Sequence, residues 1–298
     1  MKRLSAAIAL SAPTAAMAHG GAHALEAGPA GWTFDATLTV PLLLSALAFA
    51  IGFVRLRQRS TAGREALRKR AWLFAAGWAV LAFAVVSPLH EAGERSFTMH
   101  MIEHELIMLV AALLLALSRP LATMIWAFPA PARQAMARGA HMGAVRGPWR
   151  FITDPIVATI LQAGALWIWH APPLFDRALG HEGWHIAQHL SFLVTALLFW
   201  WAMTRRGAAP GVAALCLFVT SIIGGALGAL MAFSSSPWYA GYAAMGLTPE
   251  GLTPVEDQQL AGLLMWIPGG LVHAGAALWL LGQWLRQPRE GRHAVAMD

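Results

Sequence analysis

Ser96-Phe97-Thr98-Met99-His100-Met101-Ile102-Glu103-His104-Glu105-Leu106-Ile107-Met108-Leu109-Val110-Ala111-Ala112-Leu113-Leu114-Leu115-Ala116-Leu117-Ser118 sets four ionisable side chains at the head of a long apolar run. About 20 mostly apolar residues suffice to cross a bilayer as a helix. Ionisable groups at membrane depth are rare and turn toward a bundle interior. The stretch therefore reads as a transmembrane helix with a polar face near one end. Six further stretches read as its companions. With 98–118 as the third, the seven spans are 36–54, 71–89, 98–118, 155–174, 185–204, 212–233 and 260–285. Leu121 to Phe128 is too short to cross, ends at Pro129, and reads as an interfacial continuation of the third span.

Composition agrees. Of 298 residues, 57% are hydrophobic and only 12% charged, where soluble domains carry about 25% charged residues. Mean hydropathy is +0.54. The chain has 14 Trp and two Tyr, and Trp favours the membrane–water interface. A single cysteine, Cys216, excludes a disulfide scaffold and a CxxC site. These figures predict an all-α polytopic membrane bundle with its membrane domain over 36–285.

Lys and Arg set the expected orientation, since cytoplasmic loops collect them. Arg55, Arg57, Arg59, Arg64, Arg68, Lys69 and Arg70 follow the first span. Arg119, Arg133, Arg138, Arg146 and Arg150 follow the third, and Arg205 and Arg206 the fifth. Arg286, Arg289 and Arg292 lie in the tail, 286–298. The alternate loops hold only Arg95 and Arg177. This predicts an N-terminus outside and a C-terminus in the cytoplasm. The formal charge of +6 then serves topology and anionic lipid; nucleic acid is not an expected partner.

The histidines follow a different distribution. With that topology, nine of twelve fall on the outer side or in the outer half of the membrane: His19, His23, His90, His100, His104, His170, His181, His185 and His189. His100 and His104 are four residues apart, so they share a helix face about 6 Å apart along the axis. His185 and His189 repeat this on the fifth span. One such pair more often hydrogen-bonds a neighbour than holds a metal. Two pairs on one leaflet, with His90 and His170 at similar depth, favour a shared metal site. Met99, Met101 and Met108 add thioether sulfur, which with imidazole suits Cu(I). His273, midway along the seventh span, reads as packing or a polar bridge.

Glu103 and Glu105 leave alternatives open. His100-Met101-Ile102-Glu103-His104 matches HxxEH, in which the histidines hold zinc and the glutamate is a base. The further acidic ligand such a protease needs has no obvious candidate at membrane depth. Orienting an imidazole through its second nitrogen is the more economical role for either carboxylate. A copper transporter with His273 as a relay, and a haem protein with one axial His from each pair, also fit the spacing.

The first 18 residues form a secretory-signal pattern: Lys2 and Arg3, the apolar run Leu4 to Ala16, and Ala16-Met17-Ala18 as a small-x-small cleavage site. An uncleaved anchor is the competing reading, weakened by Pro13 and Thr14. Cleavage after Ala18 would leave an outer segment, 19–35, beginning His19-Gly20-Gly21-Ala22-His23. Its α-amine and the His19 imidazole would form a nitrogen chelate suited to Cu(II), although a silent linker is the plainer reading.

Several motifs in order resemble the CtaG family of cytochrome c oxidase assembly factors. They are Ser87-Pro88 through His100-Met101-x-x-His104 to Leu115; Leu166-Trp167-Ile168-Trp169-His170-Ala171-Pro172; His185-x-x-x-His189 into Phe199-Trp200-Trp201; and Asp257-Gln258-Gln259-Leu260-Ala261-Gly262 with Met265-Trp266-Ile267-Pro268-Gly269-Gly270. The resemblance covers residues 35–285, and concerns the multi-span family, not the single-span periplasmic chaperone sharing its name. It implies a seven-span, non-enzymatic inner-membrane protein that helps deliver copper to a haem-copper oxidase subunit, with a periplasmic copper donor as a further partner. It carries over His100, His104, His185 and His189 as candidate metal ligands with His170 beside them. Glu103, Glu105, Met101, His90 and His19 are candidate auxiliary groups from the residue reading.

Overall fold

The computed structural model describes residues 29–59, 63–205 and 209–286. The signal segment, His19 and the tail beyond residue 286 lie outside the described residues. All regular structure among those described is helical. Six helices are each long and apolar enough to cross a membrane: Ala36–Arg59, Arg64–Val86, Phe97–Ser118, Glu182–Thr204, Pro210–Ala232 and Pro254–Arg286. A seventh element is broken: Gly143–Ile152 and Pro155–Trp169 meet at 67°. These correspond in order to the seven expected spans and are numbered accordingly, Pro155–Trp169 being the fourth.

The fourth helix ends at Trp169, five residues before the expected boundary, for a local reason. Pro172 disfavours helical backbone at the residue before it, and Ala171 is accordingly extended, at φ −64° and ψ 125°. Its start is equally well determined. Pro155 takes the first helical position, and Asp154 Oδ1 accepts hydrogen bonds from the backbone N–H of Ile156 and Val157 at 2.9 and 3.3 Å.

The third span is not a uniform α-helix. Leu106–Ala111 forms a π-helical segment between Phe97–Glu105 and Ala112–Ser118. Its wide turn lies beside the Trp200 indole, whose Nε1–H donates to the Met108 carbonyl at 2.9 Å. Such segments concentrate at functional sites. Arg119 then takes the left-handed conformation, φ 52°, and ends the span.

The sixth and seventh spans pack through glycines. A Cβ on Gly262 would lie 2.5 Å from the Gly228 carbonyl oxygen, and one on Gly228 would lie 2.7 Å from that of Gly262. Close backbone approach of this kind, through small residues, is how helices associate in lipid. Outward-facing Leu43, Leu47, Ile160, Leu215 and Leu278 are exposed, as side chains contacting acyl chains would be. His100, Glu103, His104, Gln188 and His189 are buried. The polar interior and apolar exterior are those of a polytopic membrane protein.

Candidate metal centre

Three elements bring the site together. The third span contributes His100, Glu103 and His104; the fifth contributes His185 and His189; the short helix Pro88–Gly93 contributes His90. That short helix is set by its own sequence, with Pro88 at its first position and the Ser87 hydroxyl accepting from the Leu89 N–H at 3.3 Å.

The two i,i+4 pairs face one another. Ring centroids are 4.3 Å apart within each pair, 5.3 Å between His100 and His185, and 5.0 Å between His104 and His189. His90 stacks on His185 at 5.1 Å. Its Nδ1–H donates to Glu103 Oε1 at 2.7 Å, and His189 Nδ1 lies 3.5 Å from the same oxygen. Burial disfavours the charged form of His90, yet the hydrogen bond to Glu103 together with the charges of Glu103, Glu94 and Asp35 outweighs it and holds the His90 pKa above the ordinary histidine value.

The donor atoms fall into two groups, each spanning no more than 4.8 Å: His90, Glu103, His185 and His189, and His100, His104 and His189. Many of the buried donors lack a hydrogen-bond partner. These are both nitrogens of His100 and of His104, Nε2 of His185 and His189, and Oε2 of Glu103. An unsatisfied buried polar group costs about 1–3 kcal/mol, so a cluster of them needs an occupant. Imidazole nitrogens and a carboxylate oxygen at this spacing fit a metal ion.

His170 sits beside the cluster, outside both groups. Its ring is 6.3 Å from that of His104. Nδ1–H donates to the Leu166 carbonyl at 2.7 Å, which leaves the Nε2 lone pair facing Met101 Sδ at 3.5 Å. The neutral tautomer is thereby fixed, and a soft nitrogen–sulfur pair stands next to the imidazoles. Glu105 points elsewhere. It lines a cavity of about 40 Å³ with Gln162, Trp200, Thr220, Ser221 and His273, enough for a water. His273 donates Nδ1–H to the Gly269 carbonyl at 2.8 Å and stacks on Trp200 at 5.5 Å.

The family described as cytochrome c oxidase caa3 assembly factor (Caa3_CtaG) matches residues 47–287, a range that contains every one of these donors. The chain belongs to this family. Uncharacterized proteins of Mycobacterium bovis and Mycobacterium tuberculosis are each 29% identical to it over 282 residues, covering 88% of this chain and 41% of their own length. One of Mycobacterium leprae is 27% identical over 288 residues with the same coverage. The chain thus spans about two fifths of the length of these curated relatives. No solved structure matches it.

One residue of this Caa3_CtaG chain escapes sequence reasoning about the site. Asp257, in the first turn of the seventh span, is buried against the start of the third. Its Oδ1 accepts from Ser96 Oγ at 2.9 Å and the Thr98 N–H at 3.0 Å, and Oδ2 accepts from the Phe97 N–H at 2.6 Å. A carboxylate there satisfies the orphan donors of a helix N-terminus. It does so two residues before His100, and so fixes the depth of the first His pair. With the seventh span expected to begin at 260, Asp257 falls in the loop before it, and partners about 160 residues away leave no signal in sequence.

Proposed function

We propose that the protein binds copper at the imidazole cluster and passes it to a haem-copper cytochrome c oxidase subunit during assembly. The observation that carries this reading is the convergence of two buried His pairs whose nitrogens lack partners. The family description supplies the oxidase. Copper is favoured over zinc by Met101, whose sulfur faces a deprotonated His170 nitrogen at 3.5 Å beside the cluster. The copper is cargo, so the protein is a binding and transfer factor with no substrate turnover. The arginine asymmetry supports an orientation with the cluster toward the outer face of the inner membrane, where a periplasmic donor would load it. Within the site, Glu103 orients His90 through Nδ1, leaving Nε2 for the ion.

The test uses cells lacking the chromosomal copy, complemented with the wild-type chain or with His100→Ala/His189→Ala. The wild type should purify with copper and without a Soret band, and should restore oxidase activity. The double variant should reach the membrane at wild-type level yet leave the oxidase copper-deficient. Full oxidase activity with the double variant would overturn the reading, and a Soret band would replace copper with haem. Glu103→Gln keeps the shape but removes the charge beside His90 and His189. It is expected to weaken Cu(I) affinity about 10–100-fold, measured by competition with a chromophoric chelator.

A further inference from the structure

We infer that the cluster is a two-ion centre with His189 standing between the ions, an inference that rests on the metal-binding reading above. The first ground is the number of donors. Five imidazoles and one carboxylate lie within reach of one another, whereas copper bound by nitrogen and sulfur or zinc in a structural site takes no more than about four. A single ion would leave buried imidazoles unsatisfied, each at the cost noted for an orphaned polar group.

The second ground is how the donors divide. One group holds His90, Glu103, His185 and His189, the other His100, His104 and His189. His189 alone belongs to both. Its two nitrogens face different surroundings: Nδ1 lies 3.5 Å from Glu103 Oε1, whereas Nε2 is buried without a partner. The nitrogens of an imidazole diverge across the ring, so a single His189 can serve one ion through each.

Charge adds a third ground and names the ion. Buried charge must be neutralised, and Glu103 is the one carboxylate in either group. Two monovalent ions bring +2. Glu103 contributes −1, so two monovalent ions leave less buried charge than two divalent ions would, which favours Cu(I). A centre of this kind can load one ion while holding the other.

The experiment is native mass spectrometry of the purified full chain in detergent, loaded anaerobically with Cu(I) and, separately, with redox-inert Ag(I), then desalted. The background is Cys216→Ser, which removes the one thiol. The expected counts are two ions for the unaltered cluster, one for His90→Ala/His185→Ala and one for His100→Ala/His104→Ala. Single His90→Gln and His104→Gln variants, which preserve side-chain volume, should also fall to one and serve where a double variant does not fold. One ion in the unaltered cluster and none in either double variant would overturn the two-ion centre and leave copper binding standing. Two ions retained by either double variant would place an ion elsewhere and overturn it too. No ion in the unaltered cluster would remove the metal-binding reading itself.

Discussion

Asp257→Ala is expected to destabilise the fold by several kcal/mol and to abolish high-affinity metal binding, although Asp257 belongs to neither donor group. Its carboxylate accepts from Ser96 Oγ and from the N–H groups of Phe97 and Thr98. Removing it strands buried donors at about 1–3 kcal/mol each. It also releases the start of the third span from the seventh, and with it the depth of His100 and His104 relative to His185 and His189. Asp257→Asn retains one acceptor but aims an amide N–H at one of the former donors, so an intermediate loss is expected. Thermal unfolding in detergent and Cu(I) titration separate the effects. A wild-type midpoint and wild-type affinity in Asp257→Ala would refute the positioning role.

Gly262→Ala is expected to be severe for a one-carbon change. The added Cβ would lie 2.5 Å from the Gly228 oxygen and 2.7 Å from the Ala232 nitrogen, both backbone atoms. Neither can swing aside, so the spans must separate. Overpacking costs about 1–3 kcal/mol, and a backbone obstruction puts this case at the upper end. Gly275→Ala in the same helix meets nothing within 4 Å and should be neutral or slightly stabilising, given alanine's better helix propensity. Denaturant titration of the two variants in mixed micelles tests the contrast, which equal midpoints would contradict.

The seven apolar stretches were legible because lipid imposes a long, one-letter constraint on each span. The His pairs were legible for a different reason: a four-residue interval fixes a shared helix face whatever the tertiary structure. Facing of the two pairs and the entry of His90 depended on packing between spans, which periodicity within a span does not encode. The π-helical turn after Glu105 had no signature in Leu106–Ala111, whose residues suit an ordinary helix equally well. Glu103 and Glu105 look equivalent in sequence, but two residues is about half a helical turn. One therefore meets His90, and the other lines the cavity near His273. Asp257 was hidden because its partners lie about 160 residues away.

The shortness of Pro155–Trp169 reaches beyond the protein. Fifteen residues rise only about 22 Å, against a hydrocarbon thickness of about 30 Å. One end continues into the bent segment carrying Trp149, Arg150 and Phe151, with Trp149 packed on Trp201 at 6.5 Å. A span shorter than the hydrocarbon is met by thinning of the adjacent lipid. The bundle thereby shapes the thickness of the membrane that surrounds it.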